Sequence, residues 1–316
     1  MAPLQRELGK GSGAFINPLG LGCMGMTEFY GDTFDEETNM AVLDRALELG
    51  CTFWDTADMY AAGKYFAERG NRVKVFLGTK FGVIRDEKTK QFLGLSGKPE
   101  YVHQACNASL KRLGVDTIDL FYMHRRDPTT PIEETVKAMA ELVKEGKVRY
   151  LGLSGVDADL LRRAHKVHPI AVIQEEYSPW ILDIEKNGLL DAARDLGVSV
   201  VAYSPLGLGF LTEAIKSPDE LVNTDFRKTN SRFSPENFAK NLELVNKIKS
   251  LADKKGVLPS EFVLPWMLAQ ENEIIVIPGT KKINCLEQNV NAGQVKLSAQ
   301  EVTELRIIVD ATTPAK

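Results

Sequence analysis

Short, nearly unbroken apolar runs alternate with longer amphipathic stretches along the chain. Eight of the short runs, residues 19–22, 53–55, 75–80, 118–123, 148–154, 171–174, 198–204 and 274–278, read as strands. A strand with one wet face alternates apolar and polar residues; an unbroken run is buried on both faces, as in a parallel sheet. Between the runs lie helical segments. Residues 36–49 place Val42, Ala46 and Leu49 on one side and stop at Gly50; 101–113 follows Pro99 and stops at Gly114; 132–145 follows Pro131 and stops at Gly146. Segments 157–165, 188–196 and 235–255 continue the series. Eight strand-then-helix units with short connections predict a closed (β/α)8 TIM barrel, one domain over residues 1–316. The alternative, an open doubly wound sheet, would place a G-x-G-x-x-G turn directly after a strand and before a helix. Gly9-Lys10-Gly11-Ser12-Gly13 does neither and reads as a surface turn.

Three irregular stretches, 82–98, 125–131 and 205–234, each follow a predicted strand. They fall on the C-terminal face, where barrel sites form, and the last is long enough to be a lid. Pro265, inside a helical stretch over 260–270, predicts a kink or an early break.

Composition narrows the function classes. Hydrophobic residues are 44% and charged residues 26%, as in an ordinary globular protein. Thirty-nine Lys and Arg against 43 Asp and Glu give a net charge of −4, with no basic excess for nucleic acid. Cys23, Cys51, Cys106 and Cys285 are scattered, so reduced thiols in a cytoplasmic protein are expected. The N-terminal residues carry no long apolar run, and no stretch approaches the roughly 18 apolar residues of a membrane span. His165 and His168 have no nearby acidic or Cys partner, so no metal is expected.

Asp55, Tyr60, Lys80 and His124 fall at or just beyond the C-terminal ends of the second, third and fourth predicted strands. A barrel would gather them into one crevice. Such a set suits proton delivery to a carbonyl oxygen, on which negative charge develops as the carbon is reduced. A free tyrosine, with a pKa of about 10, is a weak acid near neutrality. A nearby ammonium lowers that value, so Lys80 can activate Tyr60, and Asp55 can hold Lys80 charged and oriented. His124 can polarise the substrate oxygen or relay the proton.

These segments resemble the aldo-keto reductase family. Asp55-Thr56-Ala57-Asp58-Met59-Tyr60 is similar to its D-T-A-x-x-Y segment, Thr79-Lys80 to its T-K segment, and His124-Arg125-Arg126-Asp127-Pro128 to its H-R-x-D-P segment. Further similarity lies in 146–154 and 203–207, and the whole extends from Leu19 to Ala292, closest to the microbial, plant and fungal branch. The resemblance implies NADPH-dependent reduction of aldehydes or ketones, with Tyr60 as general acid and Asp55, Lys80 and His124 completing the tetrad. A non-catalytic or weakly catalytic NADPH-binding sensor of the same fold is the alternative. By the same resemblance Ser154 and Gln174 bind the nicotinamide carboxamide and Tyr203 stacks on the ring. The turn Gly22, Cys23 and Met24 and the loop Ser204, Pro205, Leu206 and Gly207 approach the cofactor. Gly279, Thr280 and Lys281 take the adenosine 2′-phosphate, with Gln288 and Asn289 at the adenine. Thr280 and Asn284 can also serve as helix caps.

The departures from the family pattern are local. Gly155 follows Ser154 where relatives carry Asn or Glu; Leu208 and Glu213 replace a frequent Arg and Gly; Cys285 replaces a frequent Gln. The segment after Tyr60 is shorter than in relatives by roughly five residues, more than one helical turn. Tyr30, Trp54, Phe81 and Trp180 suggest an apolar or aromatic substrate.

Overall fold

The computed structural model describes residues 4–26, 30, 35–58, 65–86, 88–312 and 314–315. The barrel strands are β1 (Leu21–Gly22), β2 (Phe53–Asp55), β3 (Phe76–Phe81), β4 (Ile118–Met123), β5 (Val148–Ser154), β6 (Val172–Glu176), β7 (Ser199–Tyr203) and β8 (Ile274–Val276). All neighbours pair in parallel, in sequence order. Parallel bridges Leu19–Val276 and Gly22–Gly279 join β1 to β8 and close the barrel. The apolar runs are continuous because both faces are covered. On β4, Leu120 and Tyr122 point into the barrel with Phe53, Val201 and Ile275, while Phe121 and Met123 pack outward under the helices. Tyr122 fits inside because two neighbouring strands carry glycine: a Cβ at Gly152 would lie 2.4 Å from its ring, and one at Gly78 3.3 Å.

The helices are α1 (Glu36–Glu48), α2 (Tyr65–Arg69), α3 (Pro99–Leu113), α4 (Ile132–Lys144), α5 (Ala158–Val167), α6 (Leu189–Leu196), α7 (Pro235–Lys255), α8 (Pro259–Leu268), α9 (Ile283–Ala292) and α10 (Ala299–Asp310). Local chemistry sets their ends. The Asp35 carboxylate accepts from Thr38 N at the start of α1, Pro99 opens α3, and Gly114 ends it at φ 63°.

Three features depart from the sequence expectation and one extends it. The glycine-rich turn at 9–13 lies at the surface, with Lys10, Gly11 and Gly13 exposed, and joins an antiparallel hairpin, Arg6–Glu7 with Phe15–Ile16, that plugs the N-terminal end of the barrel. Gly9 N donates to Ser199 Oγ at 2.8 Å and Lys10 N to Gly197 O at 2.7 Å, so this turn is docked. Strand β6 runs two residues further than its apolar run, through Glu175 and Glu176. The early break expected at Pro265 is absent: α8 continues to Leu268, with Phe262, Val263, Trp266 and Met267 buried around the proline. Burial of those side chains offsets the one missing helical hydrogen bond. Lastly, 82–98 contains a second hairpin, Val83–Arg85 with Phe92–Leu95.

The stretch 205–234 holds four short 3-10 helices and crosses the C-terminal mouth. Arg232 grips Glu176 through both carboxylate oxygens, and Arg227 stacks 5.0 Å from the Tyr30 ring centroid. Tyr30 also bridges to Asp225 and meets Phe226 edge-on at 5.2 Å. The lid is therefore fastened to β6 and to the connection before α1.

Candidate active site

A cleft of about 750 Å³ opens at the C-terminal mouth of the barrel. Asp55, Lys80 and His124, from β2, β3 and the end of β4, line its floor. Lys80, only 2% exposed, forms an ion pair with Asp55, and its Nζ also donates to Thr56 O at 2.7 Å. The other Asp55 oxygen, Oδ2, accepts from Gln174 Nε2 at 2.8 Å. Burial pushes the Asp55 carboxyl up, while Lys80 and Gln174 pull it back toward the charged form. The barrel thus holds an ion pair in its apolar interior, fully engaged by neighbours. Below it, Lys80 Nζ sits 5.5 Å from the Tyr122 ring centroid. Tyr60 lies outside the described residues, as do all of 59–64.

His124, whose charge state the sequence left open, is pushed down from 6.5 to about 2. Burial is the main cause, reinforced by the positive charges of Lys80 and Arg125. The imidazole is neutral at working pH and acts through hydrogen bonding rather than charge.

From this floor the cleft extends along the strand ends. Ser154 and Gln174 stand side by side, paired in register on β5 and β6. The half-buried Tyr203 ring follows at the end of β7. Gly22, Cys23 and Met24 form the opposite wall, and burial holds the Cys23 thiol up at about 12, an unreactive state at neutral pH. Ser204, Pro205 and Leu206 continue the rim. Ser204, Leu208 and Glu213 have φ of 51°, 59° and 64°, a backbone region costly for residues other than glycine. Gly207 does not line the cleft. Its N–H donates to Ser204 O at 2.9 Å, and a Cβ there would lie 2.6 Å from the Trp180 ring, so it seats the lid.

At the far end Gly279, Thr280, Lys281, Gln288 and Asn289 surround the N-terminus of α9. Lys281 Nζ donates to Tyr30 O at 3.0 Å. Thr280 Oγ1 accepts from Lys282 N at 3.1 Å, shaping the turn before α9; the N-cap residue Lys282 makes no side-chain cap, and Asn284 Oδ1 accepts from Cys285 N at 2.9 Å in the first turn. An open helix N-terminus beside a lysine is a place for a phosphate. Arg227, which sequence reasoning did not single out, also lines the cleft and donates to Leu208 O at 3.0 Å. Its position 19 residues along the chain from Leu208 hid it.

The aromatic residues divide differently from the expectation. Of Tyr30, Trp54, Phe81 and Trp180, Tyr30 lines the cleft. Trp54 is buried against Tyr65 and Phe66, Phe81 stacks on Phe121 at 4.8 Å, and Trp180 packs 4.5 Å from Phe210 beneath the lid. They are core: Trp54 and Phe81 lie on the helix-facing sides of β2 and β3, and Trp180 lies in the connection after β6. A second depression, of about 820 Å³, opens at the N-terminal end of the barrel. Its arginines, Arg72 and Arg149, are both committed to the buried Asp119.

Known proteins resemble this chain in sequence and in fold. A sequence model described as the aldo/keto reductase family matches residues 18–310. The chain is 50% identical over 317 aligned positions to aldo-keto reductase str7 of Strobilurus tenacellus, covering 96% of this chain and 91% of that protein. It is 46% identical over 304 positions to aldo-keto reductase yakc [NADP(+)] of Schizosaccharomyces pombe, covering 93% and 89%. Among solved structures, the glycerol dehydrogenase AKR11B4 from Gluconobacter oxydans superposes with a TM-score of 0.88 at 26% identity, covering 100% of this chain and 98% of that one. The thermostable aldo-keto reductase Tm1743, solved with the inhibitor epalrestat, gives 0.73 at 28% identity, covering 96% and 99%. This chain belongs to the aldo/keto reductase family.

Proposed function

We propose that the protein reduces an aldehyde or ketone to an alcohol with NADPH, and that Tyr60 delivers the proton. The observation that carries the reading is the buried Lys80–Asp55 pair at the floor of a cleft that continues to the open N-terminus of α9. The name of the Schizosaccharomyces pombe relative includes NADP(+), which supports the cofactor.

The cleft suits such a cofactor in shape and donor set. Ser154 and Gln174 offer a hydroxyl and a side-chain amide to a carboxamide, and Tyr203 offers a ring face. Lys281 and the first turn of α9 favour a phosphate, and Gln288 and Asn289 sit beside it for a base. Bound there, the reduced nicotinamide supplies the hydride. The chain's own residues manage the proton. Lys80, held in place by Asp55, favours the phenolate of Tyr60 and so makes its phenol a stronger acid. Neutral His124 donates a hydrogen bond to the substrate oxygen without competing for its proton. The lid, tied down by Arg232–Glu176, keeps water from the mouth.

A carbonyl panel followed by NADPH absorbance tests the activity, and Tyr60→Phe tests the assignment. The variant is expected to lose nearly all turnover while binding NADPH within a few-fold of the wild type. Retained turnover in Tyr60→Phe would remove Tyr60 as the acid.

A further inference from the structure

Hydrogen-bond bookkeeping around Ser154 leads past the tetrad to Arg125. Its Nη1 donates to Ser154 Oγ at 3.1 Å and to His124 O at 2.8 Å. The guanidinium lies across the strand end because residue 155 has no side chain. Gly155 has φ 66°, and a Cβ there would stand 3.3 Å from Arg125 Cδ. Glu175, beside Arg125, accepts from Gly155 N at 2.8 Å and holds that turn. With no side chain at 155, Arg125 occupies the space beside the strand end.

The consequence is a preferred polarity. Ser154, only 1% exposed, has one lone pair of its oxygen engaged by Arg125, which favours donation of its hydroxyl hydrogen into the cleft. Gln174 Nε2 gives one of its two hydrogens to Asp55, and Gln174 Oε1 is left to accept. A primary amide laid across the pair is favoured one way round, with its oxygen on Ser154 and its nitrogen on Gln174.

We propose that Arg125 is a positioning residue for the nicotinamide, acting through Ser154 to fix the direction of the carboxamide and so the ring face turned toward the substrate. This rests on the NADPH reading above. The test compares wild type, Arg125→Ala and Arg125→Lys in titrations with NADPH and with adenosine 2′,5′-bisphosphate, which lacks the nicotinamide. Arg125→Ala is expected to weaken NADPH about tenfold, the cost of one misdirected hydrogen bond at Ser154, and to leave the bisphosphate unchanged. Arg125→Lys, whose ammonium can still donate to Ser154 Oγ, is expected to recover part of the loss. With NADPH deuterated on one face of C4, Arg125→Ala is expected to deliver a mixture of deuteride and hydride where the wild type delivers one isotope. In a Ser154→Ala background the Arg125→Ala change is expected to cost little more. Equal weakening of both ligands, unchanged NADPH affinity, or full additivity with Ser154→Ala would overturn the proposal. A wild-type protein that binds the bisphosphate and not NADPH would overturn the cofactor reading itself.

Discussion

His124 is buried neutral, with its pKa pushed from 6.5 to about 2, and this makes stability depend on pH in a defined direction. In the unfolded chain the imidazole takes up a proton below about 6.5; in the folded chain it does not. The unfolded state then binds more protons, so stability is complete above pH 6.5 and is lost as pH falls toward 2. The loss is about 1.4 kcal/mol for each pH unit below 6.5, which gives about 2 kcal/mol at pH 5. The perturbation is His124→Gln, which keeps a polar side chain and does not titrate. Urea unfolding of the cofactor-free protein, followed by tryptophan fluorescence at pH 7 and pH 5, measures the effect. Carboxylates titrate in both proteins and cancel in the difference. The wild type is expected to lose about 2 kcal/mol more than the variant between the two pH values, roughly 0.7 M urea at a slope of about 3 kcal/mol per molar. Equal losses would show that His124 protonates freely in the fold, and the neutral hydrogen-bonding role would fall with that result.

Three further outcomes follow from the same geometry. Lys281→Ala is expected to weaken NADPH by one to two decades and NADH little, since a charge-assisted phosphate contact is worth about 1.5–3 kcal/mol; parallel titrations decide it, and equal losses would make Lys281 a support for Tyr30 alone. Gly152→Ala drives a methyl into the Tyr122 ring and is expected to cost about 1–3 kcal/mol, read as a lowered denaturation midpoint. Asp55→Asn leaves the Lys80 ammonium buried without its counter-charge, and is expected to cost about 3–5 kcal/mol as well as most of the turnover; an unaltered denaturation midpoint would show the pair to be solvated.

The sequence by itself determined the architecture. A strand covered on both faces is apolar along most of its length, and the runs at 53–55, 118–123 and 148–154 match β2, β4 and β5 residue for residue. Glycine and proline, which act through local backbone geometry, marked helix ends such as Gly114 and Pro235. The strand-end position of Asp55, Lys80 and His124 was legible for the same reason, because the end of an apolar run is the mouth of the barrel.

What the tertiary structure decided is whatever depends on a partner distant in the chain. The polarity of β6 beyond Gln174 hid two strand residues, since Glu176 is tolerated there only because Arg232 reaches it from the lid. Trp54, Phe81 and Trp180 look like substrate contacts until the packing around each is known. The hairpin at the N-terminus, too short to carry a pattern, is held by Ser199 and Gly197. The neutral state of His124, the commitment of Gln174 to Asp55 and the reach of Arg125 over Gly155 are not properties of any one residue. Burial and hydrogen-bond direction arise only when strands separated by dozens of residues are brought to one rim, and one-dimensional pattern carries no record of which atom faces which.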